Sequence, residues 1–290
     1  MVEARAARTA PPAATAWRRF RRHRAAVAGL VALVAIVAAS LVGGRLWRYG
    51  FSDITEQYST GPSWRHPMGT DGIGHDVLAL VLRGAQKSVQ VALLAALLST
   101  ALGTAVGTLA GYYRGAVDAV LMRATDLVLT IPALAVLAVV ASRASRSGSW
   151  LLVALVLAFL AWAQTARLVR GVVLSLQSCD FVDAARAGGA GDGWVIRRHL
   201  LPNAAGPILV NATLTVAFAI LAETGLSYLG LGIRAPDTSL GRLVAEGQSA
   251  ATTRPWLFYF PGLVIVAITL SVNFVGDGLR ASLGPGPGRR

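Results

Sequence analysis

The sequence predicts an all-α integral membrane protein with six transmembrane helices and both termini in the cytoplasm. Three observations carry that fold class. Of the 290 residues, 54% are hydrophobic and 14% charged, whereas soluble proteins carry about 25% charged residues. Several apolar runs reach the roughly 18 to 20 residues needed to cross the hydrocarbon core as a helix. The arginines flank these runs instead of covering a polar surface, and the cluster "WRRFRRHR", residues 17 to 24, holds the N-terminus inside.

The first run, Ala25 to Val42, is longer than the usual 7 to 15-residue signal-peptide core and reads as a retained helix. Further spans fall at Ser88 to Tyr112, Ala119 to Ala141, Trp150 to Val169, Gly206 to Leu231 and Trp256 to Val275. Alternation then places 43 to 87, 142 to 149 and 232 to 255 outside, and more of the Lys and Arg residues fall on the inner side than the outer, as the positive-inside rule requires. Arg143 and Arg146 oppose it locally. The resulting division is a basic tail 1–24, a first helix 25–42, an extracytoplasmic loop 43–87, a core 88–280 containing a cytoplasmic loop 171–205, and a tail 281–290.

Within the second span, Ser99, Gly103, Gly107 and Gly111 recur at a spacing of four. Small residues on one helical stripe let another backbone approach closely, so this is a predicted packing seam. Pro132 and Pro261 are candidate kinks in the third and last spans.

The net charge of +13 does not indicate nucleic acid, because the arginines border membrane runs and form no folded basic face. Cys179 is the single cysteine, which excludes an intramolecular disulfide and a cysteine-rich metal cluster. The only lysine, Lys87, follows Gln86 and opens an apolar span, so the chain has no phosphate-binding loop of its own. No nucleophile elbow is present. His23, His66, His75 and His199 lack metal-ligand spacing; "HPMGTDGIGHD" at 66 to 76 groups two imidazoles with Asp71 and Asp76, but its Gly and Pro suit a turn. Enzymatic chemistry is not expected.

Ionisable groups inside spans normally face a bundle interior or a watery cavity. Asp126 and Glu223 are therefore candidate pathway residues, with the polar Asn211 beside them. Structural alternatives are an ion pair of Asp126 with Arg123 and a position for Glu223 near the outer interface. An ion-coupled secondary transporter would use these two acids as proton carriers.

The stretch "DFVDAARAGGAGDGWVIRRHLLPNAAGP", 180 to 207, is polar and Gly-rich between two greasy spans. Its acids precede Arg186, the order a helix dipole favours, and Gly188, Gly189, Gly191 and Gly193 break that helix. Asp192 is then a predicted N-cap for a second helix, Gly193 to Leu201, stopped by Pro202. That helix is amphipathic, with Trp194, Val195, Leu200 and Leu201 apolar and Arg197, Arg198 and His199 polar. Such a helix lies on a bilayer or lodges in a partner's groove; held between two spans, it suits a lever.

Asp183-Ala184-Ala185, Gly189 and Leu201-Pro202 resemble the EAA loop of ABC importer permeases, E-A-A-x3-G-x9-I-x-L-P. "RHLLPN", with His199 at the Ile position, resembles the dipeptide, oligopeptide and nickel branch. So do "HPMGTDGIGHDV" at 66 to 77, "AGYYRGAVDAVLMRATDLVLTIP" at 110 to 132, "ILAETGLSYLGLGIRAPDTSLGRLVAEG" at 220 to 247 and "PWLFYFPGLVIVAITLSVNFVGDGLR" at 255 to 280. Three departures stand out: Asp183 replaces Glu, His75 replaces Arg, and Gly188, Gly191 and Gly193 replace bulkier residues.

The resemblance implies a type I permease fold in a bacterial or archaeal cytoplasmic membrane, importing di- or oligopeptides, nickel or another small peptide-like ligand. It implies partners: a second permease in a heterodimer, two ATPases that bind ATP and Mg, and an extracytoplasmic binding protein. This chain itself would hold no cofactor. Asp183, Ala184, Ala185, Gly189, Trp194, His199, Leu201 and Pro202 would couple to the ATPase, while Gly69, Thr70, Asp71, Gly74 and Asp76 form the family's loop motif.

Overall fold

A backbone without water must satisfy its own polar groups, and long apolar runs do so as helices. The computed structural model describes residues 13–132, 135, 136, 139 and 149–283, and among them every extended regular element is helical. In chain order these are α1 (Ala13–Arg22), α2 (Arg24–Leu46), α3 (Val77–Tyr113), α4 (Gly115–Thr130), α5 (Trp150–Gln177), α6 (Asp180–Ala187), α7 (Asp192–Tyr228), α8 (Leu240–Gly247) and α9 (Trp256–Leu283).

Five of these, α2, α3, α5, α7 and α9, are long and apolar enough to span a membrane. At 1.5 Å per residue the 37-residue α3 and α7 each run about 55 Å, well beyond a hydrocarbon core of about 30 Å. Their ends therefore project into water. The predicted third span, Ala119 to Ala141, is interrupted: α4 ends at Thr130 and Ile131 is extended, as the residue before a proline is forced to be. Most of the remaining stretch lies outside the described residues.

The predicted seam is real, and it faces α5. A Cβ on Gly103 would lie 2.7 Å from the Trp162 carbonyl oxygen, one on Gly107 would strike the Ala166 carbonyl, and one on Gly111 would lie 2.9 Å from Val173 Cβ. Ser99 continues the stripe, fully buried. The close approach gains dispersion contacts over a long interface, the main attraction available between helices in lipid.

Around this pair, Val91, Leu157, Ile220, Leu226, Leu240 and Ile268 form the principal core, joining α3, α5, α7, α8 and α9. Helix α2 lies outside it against α9. Large apolar side chains remain exposed on the outer faces, among them Val31, Val34, Leu93, Leu97 and Leu102. In a chain of spanning helices such a surface suits contact with lipid or with another membrane subunit.

Candidate functional site

The polar elbow between α5 and α7 is built by a glycine. Helix α6 ends with Gly189 at φ +81°, the Ala190 N–H bonded to the Ala185 carbonyl and the Gly189 N–H to that of Arg186. This is a Schellman cap, in which the left-handed residue satisfies carbonyls the helix leaves open. Only Gly189 needs its glycine for conformation; Gly191 and Gly193 have negative φ and open space around them.

Two expectations for the next helix fail. Asp192 is the first helical residue, with Gly191 as the cap, and its carboxylate is taken by a neighbour instead. Pro202 does not stop the helix, which runs unbroken into the span ending at Tyr228. The reason is a widened turn at Ile196–Leu200, where the Leu201 N–H reaches back five residues to the Ile196 carbonyl. A π-turn reroutes the ladder where proline has no N–H to give. The elbow is thus one short helix and the protruding end of a span.

The apolar face is also smaller than expected. Val195 and Leu200 are buried with Val182, Val169, Val173 and Tyr112, but Trp194 stays 52% exposed. The His199 ring is packed between Trp194, at 4.9 Å, and Phe181 of α6, at 5.7 Å, and its Nε2 is buried without a hydrogen-bond partner among the described residues. Ala185 packs on the cluster, Ala184 is exposed and Leu201 half-buried. Asp183 is 71% exposed and 3.8 Å from Arg186. The elbow therefore presents a carboxylate and an indole to water from an interior that is tightly packed.

That interior ties the elbow to the bundle. The Tyr112 hydroxyl donates to Asp192 at 2.8 Å, and Arg186 lies 5.4 Å over the Tyr112 ring. Gln177 Nε2 donates to the Gly111 and Tyr112 carbonyls, filling orphan acceptors at the C-terminus of α3. Nearby, Arg170 donates to the two Asp118 oxygens through Nε and Nη2, at 2.5 and 2.6 Å. The sequence pattern draws attention to Asp192, Arg186 and Gly111, but nothing in it points to Tyr112, Gln177, Arg170 or Asp118 as their companions.

At the other end of α3, the loop motif is a clamp. Asp76 caps α3 at the Ala79 N–H (2.8 Å) and also binds His66 Nδ1 (2.7 Å) and Trp47 Nε1 (3.0 Å). Asp71 accepts from the N–H groups of Ile73, Gly74 and His75 and pairs with the His75 ring. Thr70 binds Thr60, and its carbonyl accepts from Trp256 at 3.1 Å. Gly69 and Gly74 have positive φ, and side chains there would strike Thr60 and Thr55 backbone oxygens. Both imidazoles are thus partnered with carboxylates, and no group of three or more metal-binding side chains forms among the described residues.

Glu223 is 0% exposed, enclosed by protein on every side. Ser88 and Ser227 donate to its two oxygens at 3.0 and 2.7 Å, and Ser239 adjoins Ser227. It joins α3, α7 and the start of α8. Asp126 does not pair with Arg123; its partner is Arg167 of α5, at 2.5 Å, because α4 packs along α5 and brings a cation nearer. Asn211 donates to Thr165 at 2.9 Å, linking α7 to α5. The three pathway candidates do not converge on one another through any of these bonds.

A further cluster escaped sequence reasoning. Asp237, in the loop before α8, pairs with Arg83 (2.8 Å) and Lys87 (2.8 Å). Burial alone would raise the Asp237 carboxyl pKa, but the Arg83 and Lys87 bonds outweigh it and hold it below the ordinary aspartate value. The i, i+4 spacing of Arg83 and Lys87 puts both cations on one helix face, yet nothing local points to an acid so far along the chain. Next to it, a cavity of about 570 Å³ lies between the loop and α8, lined by Asp71, His75, Asp237, Arg242, Glu246 and Arg254 among others.

Residues 103–288 match the family model of the binding-protein-dependent transport system inner membrane component. The chain belongs to that family. Residues 12–62 also match the N-terminal transmembrane domain of oligopeptide transport permease C. Relatives of this permease include the oligopeptide transport system permease protein OppC of Mycobacterium tuberculosis, 41% identical over 77% of each chain. A peptide permease protein of Brucella suis is 40% identical over 78% of this chain and 75% of its own. Among solved structures, an inward-facing MetNI methionine ABC transporter superposes with TM-score 0.59 at 19% identity, covering 70% of this chain and 96% of that one. An amino acid ABC transporter gives 0.53 at 16% identity, covering 69% and 92%. These likenesses establish the type I importer permease fold, and the chain is a multi-pass membrane protein.

Proposed function

We propose that this permease is one half of the translocation pathway of an ATP-driven importer of oligopeptides, a transport subunit and not an enzyme. The peptide assignment is supported by the names of the relatives at about 40% identity.

In this reading the chain crosses the membrane six times with both termini cytoplasmic: tail 1–24, first helix 25–42, extracytoplasmic loop 43–87, core 88–280 and tail 281–290. A second permease completes a heterodimer, two ATPases hold ATP and Mg, and a binding protein delivers peptide to the outer loops, the motif Gly69 to Asp76 among them. Glu223, Asp126 and Asn211 would then serve the pathway by holding helices in register. The enclosure of Glu223 by hydroxyls and the pairing of Asp126 with Arg167 suit that role better than proton carriage.

The observation that carries coupling is the elbow itself. Asp183 and Trp194 are offered to solvent while the helix bearing Trp194 is continuous with the span ending at Tyr228. Displacement of the elbow, within 171–205, would pass directly into α7 instead of being absorbed by a hinge at Pro202. ATP-dependent work requires that the ATPase bind the two permease conformations with different free energies.

The test is a cross-link. With Cys179→Ser removing the native thiol, Trp194→Cys in the assembled complex should cross-link to the ATPase, and the yield should change between nucleotide-free and ATP-bound states. Asp183→Lys should reduce uptake while leaving the chain inserted. Cross-links that reach no ATP-binding subunit, with uptake unchanged by Asp183→Lys, would refute the assignment.

A further inference from the structure

Helix α1 has no role in the coupling scheme, yet its charges are arranged with purpose. At 100° per residue, Ala16 and Phe20 share one face, and both are buried. Phe20, 4% exposed, lies over α9 where Gly278 leaves room: a Cβ on Gly278 would come 2.9 Å from the Phe20 ring. Arg18, Arg21 and Arg22 fall on the opposite side and Arg19 on the flank, all exposed. They form no ion pair among the described residues, and the helix contains no acid.

Trp17, 54% exposed, stacks on Phe20 at 5.8 Å and sits 6.0 Å beneath the Arg21 guanidinium. The helical path breaks at His23, which is extended and caps α2 through Ala26 N–H. Helix α2, the 23-residue apolar span, begins one residue later. That places α1 at the boundary between hydrocarbon and headgroups, where tryptophan is favoured and arginine meets phosphate oxygens bidentately.

We propose that α1 is an interfacial clasp whose Arg18, Arg19, Arg21 and Arg22 bind anionic phospholipid headgroups while Phe20 holds it to α9. A clustered basic helix beside a span has the charge that anionic lipid attracts. The exposed indole, continuous with the start of a span, points to a lipid surface and not to a protein partner. The clasp has a mechanical address: the end of α9 that it grips also packs Leu283 against Gly206 at the base of α7, four residues beyond Pro202. Bound lipid would brace the helix that carries the elbow.

The test uses the full chain in vesicles, with Thr15→Cys, on the arginine side, labelled by a fluorophore in a Cys179→Ser background. Brominated phosphatidylglycerol should quench the label roughly threefold or more above brominated phosphatidylcholine at equal mole fraction. Raising salt should erode the preference. Changing the four arginines to Gln should bring it to about one, and to Lys should keep it. Equal quenching by the two lipids, quenching by neither, or indifference to salt overturns the proposal without touching the assignment of the elbow. So does loss of the preference to inorganic phosphate, which would assign the site to a free anion, or shielding by added ATPase alone, which would assign it to a protein.

Discussion

The Tyr112 hydroxyl and the Asp192 carboxylate lie 2.8 Å apart although 80 residues separate them in the chain. One lies in the last turn of α3 and the other opens α7, so this bond joins the two longest helices where the first ends and the second begins. Tyr112→Phe should cost about 1 kcal/mol of stability, a small shift in a detergent melting curve. Its larger effect should be on coupling: in the reconstituted complex, ATP hydrolysis persists while peptide uptake per ATP falls.

Gly189 occupies the left-handed region at φ +81°, where a side chain costs about 1 to 2 kcal/mol and β-branching more. Gly189→Val should unwind the α6 cap and lower the amount of ATPase that co-purifies. Gly189→Asn should retain most of it, since asparagine tolerates this conformation. Equal binding by both variants would show that the cap is not what presents the elbow.

The α3–α5 seam should be intolerant of bulk. Gly107→Leu would drive a side chain into the Ala166 carbonyl and Val169, and overpacking of this kind typically costs about 1 to 3 kcal/mol or more. The expected readout is a lowered melting temperature in detergent or loss of folded protein. Gly193→Leu, with nothing within 4 Å, should melt like the parent.

Asp237 ties the loop before α8 to Arg83 and Lys87 of α3. Asp237→Asn leaves Lys87 nearly buried without its counter-ion, at a cost of about 1 to 3 kcal/mol, less than for a fully buried pair because Asp237 is partly solvated. Its folded pKa is depressed, so the stabilisation is complete above the unfolded value of about 3.9 and fades as pH falls through the lower folded one. The parent and variant should therefore differ in melting temperature at pH 7 and converge only in strong acid. A difference that vanished near neutrality would place the pair's contribution elsewhere.

What the sequence by itself determined about this permease follows from rules local in the chain. Hydrocarbon thickness sets span length, glycine spacing marks one helix face, and a polar, Gly-rich stretch between two apolar runs marks the elbow. Hence the apolar helices, the Gly103–Gly107–Gly111 seam and the elbow were all legible, although the third span is interrupted before Pro132 and α3, α5, α7 and α9 run past the predicted spans at one end.

Tertiary structure alone decided the partners. Asp126 has Arg123 at helical distance and still pairs with Arg167, because a neighbouring helix delivers a cation closer than its own turn does. Asp237 meets Lys87 across 150 residues, and Glu223 finds serines on three segments. Two local rules were overturned at the elbow: a π-turn upstream of Pro202 lets the helix continue, and Gly191 takes the cap position while the Asp192 carboxylate turns to Tyr112. Burying a polar group in a low-dielectric bundle is costly unless it finds a partner, and which group meets which depends on how the helices lie against one another, a property that no single helix encodes.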